Sequence, residues 1–177
     1  MKQEVLIMVG ISGSGKTSFA KNWLKEYPNY VRINRDDIRK VLVQTLDGYY
    51  QRKDLQELEG MVTSIETTIF NRSIIKGFSV IIDNTNLTKD YIYKWTDSIE
   101  VFKDAKDKEI KLMFKIIELD PTICKTRVMY RDNFMENQTE DAIASFIDKV
   151  AYIDKQALQF KNIKEYIKMY FSDKIII

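Results

Sequence analysis

The sequence predicts an α/β fold in which a parallel β-sheet is flanked by helices on both sides. Short apolar runs such as VLIMV (5–9) and FSVII (78–82) alternate with longer segments whose apolar residues recur every three or four positions. Continuous apolar strands are typical of parallel sheets, because helices cover both faces of such a sheet. With 177 residues, the chain is expected to form a single domain over residues 1–177.

Each predicted element has a local reason in the sequence. Strands are predicted over residues 5–9, 30–34, 78–82 and 110–119. Helices are predicted over 17–27, from INRDDIRK (33–40) to about Leu46, over 52–76, and after Thr88, Asp120 and Thr139. Pro28 ends the first helix, because proline disfavours helix at the preceding residue. Thr88 and Asp120 are predicted N-caps, and Pro121 suits the first helical position.

Three of these helices carry apolar residues at steps of three and four, which predicts one buried face on each. The predicted inward-facing residues are Leu55, Leu58, Val62, Ile65, Ile69, Ile92, Trp95, Ile99, Phe102, Ile143, Phe146, Ile147, Val150 and Ile153. The C-terminal helix and tail over about 155–177 are left open, with KMYFSDKIII (168–177) as a candidate last strand.

Composition and absences exclude several classes of protein. The formal net charge of +2 gives no case for duplex binding by overall charge. The chain contains no histidine, which excludes histidine-based acid–base catalysis and histidine metal sites. Cys124 is the only cysteine, so an internal disulfide is excluded and a reducing compartment is favoured. No apolar run is long enough to span a membrane and no secretory signal is visible, so a cytoplasmic protein without membrane contact is expected.

GISGSGKT (10–17) matches the phosphate-binding pattern G-x-x-x-x-G-K-[ST] at every fixed position. The motif follows an apolar strand and opens a helix, as a phosphate-binding loop (P-loop) requires. Glycines allow backbone N–H groups to turn towards phosphate oxygens, and the helix N-terminus adds a positive dipole. Lys16 is predicted to reach the β- and γ-phosphates of ATP, and the Thr17 hydroxyl to coordinate Mg²⁺. The predicted nucleotide-binding positions of the loop are Gly10, Ser12, Gly13, Ser14, Gly15, Lys16, Thr17 and Ser18.

INRDDIRK (33–40) places two aspartates at the carboxyl end of the second strand, the edge where ligands bind in such sheets. A kinase for an alcohol acceptor needs a carboxylate beside the attacking hydroxyl. Asp36 would stand across the cleft from Lys16 and is the candidate base, although either aspartate also suits a helix N-cap. Asp37 is the predicted cap, and the sequence explains no role for Arg35.

DNTNL (83–87) directly follows the third strand, and its first residue is the acidic Asp83. Asp83 lies at the position where P-loop proteins hold Mg²⁺, directly or through water. Thr85 and Asn86 offer neutral hydrogen-bonding groups where an acceptor would lie. The alternative is a turn in which these side chains only cap the next helix.

GISGSGKT, INRDDIR, DNTNL and a helix with two arginines after a late strand together resemble the 5′-kinase domain of bacteriophage-type polynucleotide kinases. The resemblance extends over about residues 4–155. It implies the P-loop kinase fold, with a helical lid over about 121–138. The sequence departs from that family at Asn84, because the family carries aspartate immediately before the Thr-Asn pair. Asp83 stands one position earlier, so the sequence leaves open which residue takes the role of the family's aspartate.

The resemblance also implies a role for individual residues. Asp36 corresponds to the general base, and Arg39 to the residue that contacts the acceptor's phosphate. Arg127 and Arg131 lie in the lid helix and are both predicted to bind the nucleotide. Their spacing favours Arg131 as the clamp on the ATP phosphates, with Arg127 as its helper. The predicted catalytic residues are Asp36, Lys16 and Arg131, and the predicted acceptor-binding residues are Arg39, Thr85 and Asn86.

The predicted function is therefore transfer of the ATP γ-phosphate to the 5′-hydroxyl of DNA or RNA in nucleic-acid repair, with Mg²⁺ as cofactor. A GTPase is disfavoured, because the guanine-reading N-K-x-D segment is absent. The expected substrate is single-stranded or end-exposed nucleic acid, and the sequence leaves a homo-oligomer open. No phosphatase D-x-D-G-T or ligase K-x-D-G segment occurs, so separate ligase or phosphatase partners are envisaged. The alternatives are a kinase of the same fold for a nucleotide, sugar or antibiotic, and a non-catalytic ATP-binding module.

Overall fold

The structure, a computed structural model, describes residues 2–45, 55–106, 109–131 and 140–176. Strands and helices alternate along the first two-thirds of the chain, and two helices follow the last strand. The strands are β1 (Gln3–Val9), β2 (Tyr30–Ile33), β3 (Ser79–Ile82) and β4 (Ile110–Ile116). The helices are α1 (Lys16–Glu26), α2 (Arg35–Thr45), α3 (Leu55–Lys76), α4 (Lys89–Lys106), α5 (Pro121–Arg131) and α6 (Glu140–Tyr170). A short 3₁₀ turn over Ser172–Lys174 follows α6.

The four strands form one parallel sheet in the order β2–β3–β1–β4. Its central strand β1 pairs with β3 on one side and with β4 on the other. Because all strands run in the same direction, their carboxyl ends lie along a single edge of the sheet. The predicted α/β class with a parallel sheet is confirmed.

Helices cover both faces of the sheet, as the apolar strands predicted. Val5, Ile7 and Val9 of β1 pack in one buried cluster together with residues of α3, α4, α5 and α6. Leu6 and Met8 pack in a second cluster, against α1. Successive side chains of a strand point to opposite faces, so β1 contributes to both layers of the core.

The predicted starts of α4 and α5 are confirmed. The Thr88 hydroxyl accepts a hydrogen bond from the Tyr91 N–H at 3.5 Å. Asp120 accepts one from the Thr122 N–H at 2.8 Å, and Pro121 is the first residue of α5. The predicted cap Thr139 and the lid segment 132–138 lie outside the described residues. No helix in the described part of the chain is long and apolar enough to cross a membrane.

The C-terminal part of the chain differs from the predictions in two respects. Ile143 and Ile147 were predicted to face inwards but are 40% and 60% exposed, because α6 contributes its later residues, such as Ile153 and Ile163, to the core. The candidate last strand is a single parallel bridge of Ile175 with Phe114 of β4, since α6 continues to Tyr170. The end of the chain nevertheless lies along β4, as a last strand would.

Candidate active site

Three segments meet at the carboxyl edge of the sheet and enclose a cleft of about 780 Å³. They are the P-loop after β1, the start of α2 after β2, and the loop after β3. Helices α5 and α6 close the cleft on the nucleotide side. Predicted site residues that line it are Ser12, Gly13, Gly15, Lys16, Thr17, Ser18, Asp36, Arg39, Asp83, Thr85, Asn86, Arg127 and Arg131. Gly10 and Ser14 do not line the cleft; Ser14 is buried and packs close to Gly10 within the loop.

The P-loop takes its shape from glycine at Gly13. Gly13 has φ +81°, a conformation that side chains with a Cβ rarely adopt. A Cβ at this position would also lie 2.5 Å from the carbonyl oxygen of Cys124 in α5. Any other residue would therefore be strained and would displace the loop from α5. The glycine lets the loop curl tightly between β1 and α1.

Lys16 is buried at the base of the cleft, with 8% of its surface exposed. Its Nζ donates a hydrogen bond to the Ile11 carbonyl oxygen at 2.7 Å. Burial lowers the pKa of Lys16 to about 8, although the charges of Asp83 and Asp36 act in the opposite direction. The ammonium group thus lies in a poorly solvated position, where a phosphate group would restore its electrostatic balance.

Asp83 and Thr17 provide oxygen atoms suited to Mg²⁺. Asp83 is 1% exposed, and burial raises the pKa of its carboxyl, while Arg32, Thr17 and Lys16 limit that rise. One carboxylate oxygen accepts hydrogen bonds from Arg32, but Oδ1 has no partner among the described residues. No cluster of three or more acidic or cysteine ligands occurs in the described residues. A site built from one carboxylate, one hydroxyl and substrate phosphates is typical of Mg²⁺, so the residues fit this ion.

Asp36 projects into the cleft from the first turn of α2, and its side chain is 87% exposed. Arg39 donates to Asp36 Oδ1 at 2.6 Å from one turn later in the helix. Asp36 is close enough to Lys16 for its charge to raise the Lys16 pKa. An exposed carboxylate and a buried ammonium group therefore share the same cleft.

The predicted N-cap of α2 was wrong. Asn34 caps the helix, because its Oδ1 accepts the Asp37 N–H at 2.9 Å and its carbonyl oxygen accepts the Ile38 N–H at 3.2 Å. Asp37 lies three positions after the cap, and its own backbone N–H is the group that Asn34 caps. Its carboxylate accepts a hydrogen bond from Arg32 at 2.5 Å instead.

Arg39 lines the cleft and is held from two sides. Glu59 of α3 accepts hydrogen bonds from Arg39 Nε and, at 3.0 Å, from Nη2, while Asp36 accepts from Nη1. The hydrogen bond from Arg39 lowers the pKa of Glu59 to about 2. Both guanidinium edges are thereby aligned along the cleft wall, where a phosphate could replace a carboxylate.

The loop after β3 ties two strands together. Thr85 accepts the Gly10 N–H through its carbonyl oxygen at 3.2 Å, which joins this loop to the P-loop. Asn86 is 1% exposed and its Nδ2 donates to the Met8 carbonyl oxygen at 2.7 Å. Asn86 Oδ1 has no hydrogen-bond partner among the described residues. The Asn86 side chain therefore anchors the loop to β1 and has only its oxygen to offer a ligand.

A model of the AAA domain family matches residues 5–151 of the chain, which contain all of these site residues. The chain belongs to this AAA domain family. Its P-loop, parallel sheet and flanking helices are the features on which the predicted fold rested, and the fold is confirmed.

Relatives of this AAA domain are named as polynucleotide kinases. One, from Autographa californica nuclear polyhedrosis virus, is named as a bifunctional polynucleotide kinase/RNA ligase and is 34% identical over 100 residues, covering 52% of this chain and 14% of that protein. Another, from Acanthamoeba polyphaga mimivirus, is named as a bifunctional polynucleotide phosphatase/kinase and is 27% identical over 175 residues, covering 89% of this chain and 35% of that protein. The AAA domain thus spans a small part of each relative. The predicted resemblance to polynucleotide kinases is confirmed, and the comparisons support a P-loop kinase.

A solved structure extends the likeness in fold. A chain of the Pnkp1/Rnl/Hen1 RNA repair complex superposes with a TM-score of 0.61 at 24% identity, covering 93% of this chain and 46% of that chain. At this identity the match shows a shared fold.

Sequence reasoning missed the residues that α6 adds to the AAA domain's nucleotide side. Gln156 is 1% exposed, and its Oε1 accepts the Ser12 N–H of the P-loop at 2.8 Å. Tyr152, one turn earlier, lines the cleft with 57% of its surface exposed. The sequence signal that could have identified Gln156 is a polar residue on the same helix face as the buried Ile153 and Phe160. Arg127 of α5 also reaches the P-loop, where Nη1 donates to the Gly13 carbonyl oxygen at 3.4 Å.

Proposed function

We propose that this AAA domain is an ATP-dependent polynucleotide 5′-hydroxyl kinase. It transfers the γ-phosphoryl group of ATP to the 5′-hydroxyl end of DNA or RNA, in the repair of broken strands. The proposal is supported by relatives named as polynucleotide kinases. The buried free Cys124 is in keeping with a reducing compartment, so we assign the reaction to the cytoplasm.

The observation that carries the proposal is the exposed carboxylate of Asp36, which lies in the same cleft as the buried Lys16. A carboxylate that only capped a helix would be engaged with backbone N–H groups, and Asn34 already fills that role. Once Arg39 gives up its contact, Asp36 can accept a proton from an acceptor hydroxyl, while Lys16 and the P-loop N–H groups bind the phosphates. In this proposal the phosphate donor and the acceptor hydroxyl meet between Lys16 and Asp36, which line the same cleft.

The remaining residues complete the transfer by binding and orientation. Thr17 and Asp83 would hold Mg²⁺, which when bound neutralises charge on the phosphates. Arg39 exchanges its contact with Asp36 for the phosphate that follows the acceptor nucleoside, which leaves Asp36 to orient the 5′-hydroxyl. Arg131, at the end of α5, binds the transferring phosphoryl group from the lid side, and Arg127 steadies the P-loop. Asp36 accepts the hydroxyl proton as the new O–P bond forms and the bond to ADP breaks.

Transfer of label from γ-labelled ATP tests the proposal. The acceptors are a 5′-hydroxyl DNA oligonucleotide, its RNA counterpart, 3′-mononucleotides and a panel of small alcohols including sugars and aminoglycosides. The same oligonucleotides with a 5′-phosphate are the matched control, because they differ only at the accepting group. We expect label on the 5′-hydroxyl oligonucleotides alone. Label confined to a small alcohol would replace the proposal with a small-molecule kinase, and ATP binding without transfer would indicate a binding module.

A role alongside a ligase belongs to the same proposal. The viral relatives are named as a polynucleotide kinase/RNA ligase and a polynucleotide phosphatase/kinase, and the similar fold comes from a complex titled an RNA repair complex. A 5′-phosphate is the group that a ligase requires. We therefore expect the product of this domain to be the substrate of a ligase, on the same chain or on a separate one.

A further inference from the structure

We infer that the buried carboxylate of Glu66 positions the acceptor side of the cleft, and that it does so through Asn84. Glu66 lies in the middle of α3 and is 1% exposed. It does not line the cleft, and the sequence motifs do not include it. The inference rests on the proposed function for its catalytic readout, but its contacts are independent of that function.

Glu66 receives hydrogen bonds from three different elements. Oε1 accepts the Asn84 Nδ2 donor from the loop after β3 at 2.6 Å. Oε2 accepts Arg35 Nη1 from α2 at 2.8 Å and Lys94 Nζ from α4 at 2.5 Å. A buried carboxylate is tolerated when it is paired and hydrogen-bonded, and otherwise costs several kcal/mol. Here two cations balance the charge, so the network is complete only when α2, α4 and the loop after β3 are all in place.

Asn84 closes this network into a ring. Its Oδ1 accepts the backbone N–H of Arg35 at 3.0 Å, while its Nδ2 donates to Glu66. Arg35 in turn donates to Glu66 through its guanidinium group. The first residue of α2, the middle of α3 and the loop after β3 are thereby held at fixed separations.

Two members of the ring, Arg35 and Asn84, are sequence neighbours of residues proposed to take part in the reaction. Asp36 directly follows Arg35, while Asp83 and Thr85 flank Asn84. A change in the ring therefore moves the proposed base relative to the metal-holding carboxylate. Because misplacement by about 1 Å can reduce a reaction rate by about 10²-fold, this separation matters for transfer. Lys16 and the P-loop N–H groups lie outside the ring, so we expect ATP binding to be affected less than transfer.

The ring also accounts for the asparagine at position 84, where the sequence departs from the family it resembles. The position needs both a donor for Glu66 and an acceptor for the Arg35 N–H, and the amide of Asn84 supplies one of each. An aspartate would instead place a second carboxylate within hydrogen-bond distance of the buried Glu66. Asn84 and Glu66 are thus a matched pair of one amide and one carboxylate, and the two groups can be exchanged between the two positions.

A double-mutant cycle tests the inference with Asn84→Asp, Glu66→Gln and the double variant. We expect Asn84→Asp to lower kcat for 5′-hydroxyl transfer by about 10–100-fold, with the Kd for ATP within about twofold of the wild type. We expect Glu66→Gln to lower kcat as well, because its amide would face the amide donor of Asn84. In the double variant the new amide at position 66 donates to the new carboxylate at position 84, and the amide oxygen accepts from Arg35. The double variant is therefore expected to recover to within about fivefold of wild-type kcat.

Ile74→Val controls for destabilisation alone. Ile74 is fully buried in the same helix and does not line the cleft, so the variant lowers Tm without touching the ring. Its kcat at 25 °C is expected to stay within about twofold of the wild type. A double variant whose losses simply multiply would overturn the inference, as would Asn84→Asp with wild-type turnover. If the wild type transfers nothing to polynucleotides, the proposed function fails, and the Tm values of the same cycle still decide whether the two residues are coupled.

Discussion

Gly13→Ala perturbs the P-loop at the point where the loop contacts α5. The φ of Gly13 is +81°, and an added Cβ would lie 2.5 Å from the Cys124 carbonyl oxygen and 3.1 Å from the Cys124 Cα. These contacts are with backbone, which cannot turn aside as a flexible side chain could. The substitution must therefore shift the loop away from α5, together with the N–H groups that would bind phosphate.

The size of the effect follows from three contributions. The left-handed conformation costs alanine about 1–2 kcal/mol. Displacing the packed α5 backbone adds about 1–3 kcal/mol, as in other overpacked sites. The reduced entropy of the unfolded chain offsets about 0.4–1 kcal/mol. Gly13→Ala is thus expected to lower the free energy of unfolding by about 1–5 kcal/mol, which corresponds to about 2–20 °C in Tm for a domain of this size.

Substitutions at two other glycines distinguish the cost of backbone strain from the cost of a steric clash. Gly77 has φ +89° but no atom within 4 Å of an added Cβ, so Gly77→Ala should lower the free energy of unfolding by less than about 1.6 kcal/mol. Gly60 lies in α3 with open space around it, and Gly60→Ala should gain about 0.5–1 kcal/mol. Thermal and urea unfolding of the three variants should give the order Gly60→Ala, wild type, Gly77→Ala, Gly13→Ala. Calorimetric titration with ATP should show weakened binding for Gly13→Ala alone. Equal stability of Gly13→Ala and Gly77→Ala, with unchanged ATP affinity, would refute the contact with Cys124.

Three further predictions concern charged residues of the cleft. Burial lowers the pKa of Lys16 to about 8 from 10.5, so with rising pH the folded state loses this proton before the unfolded state does. The free energy of unfolding of the wild type, relative to that of Lys16→Met, should therefore rise from pH 8 to pH 10.5. Urea denaturation of both proteins at pH 7.5 and pH 10 measures this difference, and a difference that does not change with pH would contradict the prediction. Arg131→Ala should lower kcat by about 10³-fold, as loss of an arginine finger would, and Arg127→Ala by less than about 10²-fold; steady-state transfer assays compare the two, and the reverse order would exchange their roles. Asp83→Asn should raise the Mg²⁺ concentration needed for half-maximal transfer by at least about tenfold without changing ATP binding measured in EDTA; an unchanged Mg²⁺ requirement would remove Asp83 from the metal site.

The sequence was sufficient for the parts of this domain that depend on local patterns. VLIMV followed by GISGSGKT predicts β1, the P-loop and α1, because the glycine spacing and the following helix are both local requirements. The parallel sheet followed from apolar strands, and it placed Lys16, Asp36 and Asp83 at one edge without any knowledge of contacts. These predictions hold because neighbours along the chain determine them.

Long-range contacts were beyond reach of the sequence. Gln156 and Ser12 are 144 positions apart, and no local pattern pairs them. Glu66 lies one turn from Val62 and one turn from Phe70 on a buried face, and the sequence does not identify Asn84 or Arg35 as its partners.

The cap of α2 was mispredicted for a local reason. Asn34, Asp36 and Asp37 all suit helix starts chemically, and only the position of the first helical residue distinguishes them. That position is fixed by β2 ending at Ile33, where Asn34 Nδ2 also donates to the Asp83 carbonyl oxygen at 2.6 Å. A tertiary contact thus selects among residues of equal propensity.

The most direct test of the proposed kinase compares Asp36→Asn with the neighbouring Asp37→Asn. The measurement is the rate of label transfer from γ-labelled ATP to a 5′-hydroxyl oligonucleotide at saturating substrates. Asp36→Asn is expected to lower kcat by about 10²–10⁴-fold with ATP affinity unchanged, because the variant keeps the shape of the site and loses only the base. Asp37→Asn, which alters an exposed carboxylate paired with Arg32, is expected to stay within about threefold of the wild type. Normal transfer by Asp36→Asn, or an equal loss in both variants, would contradict the assignment of Asp36 as the base.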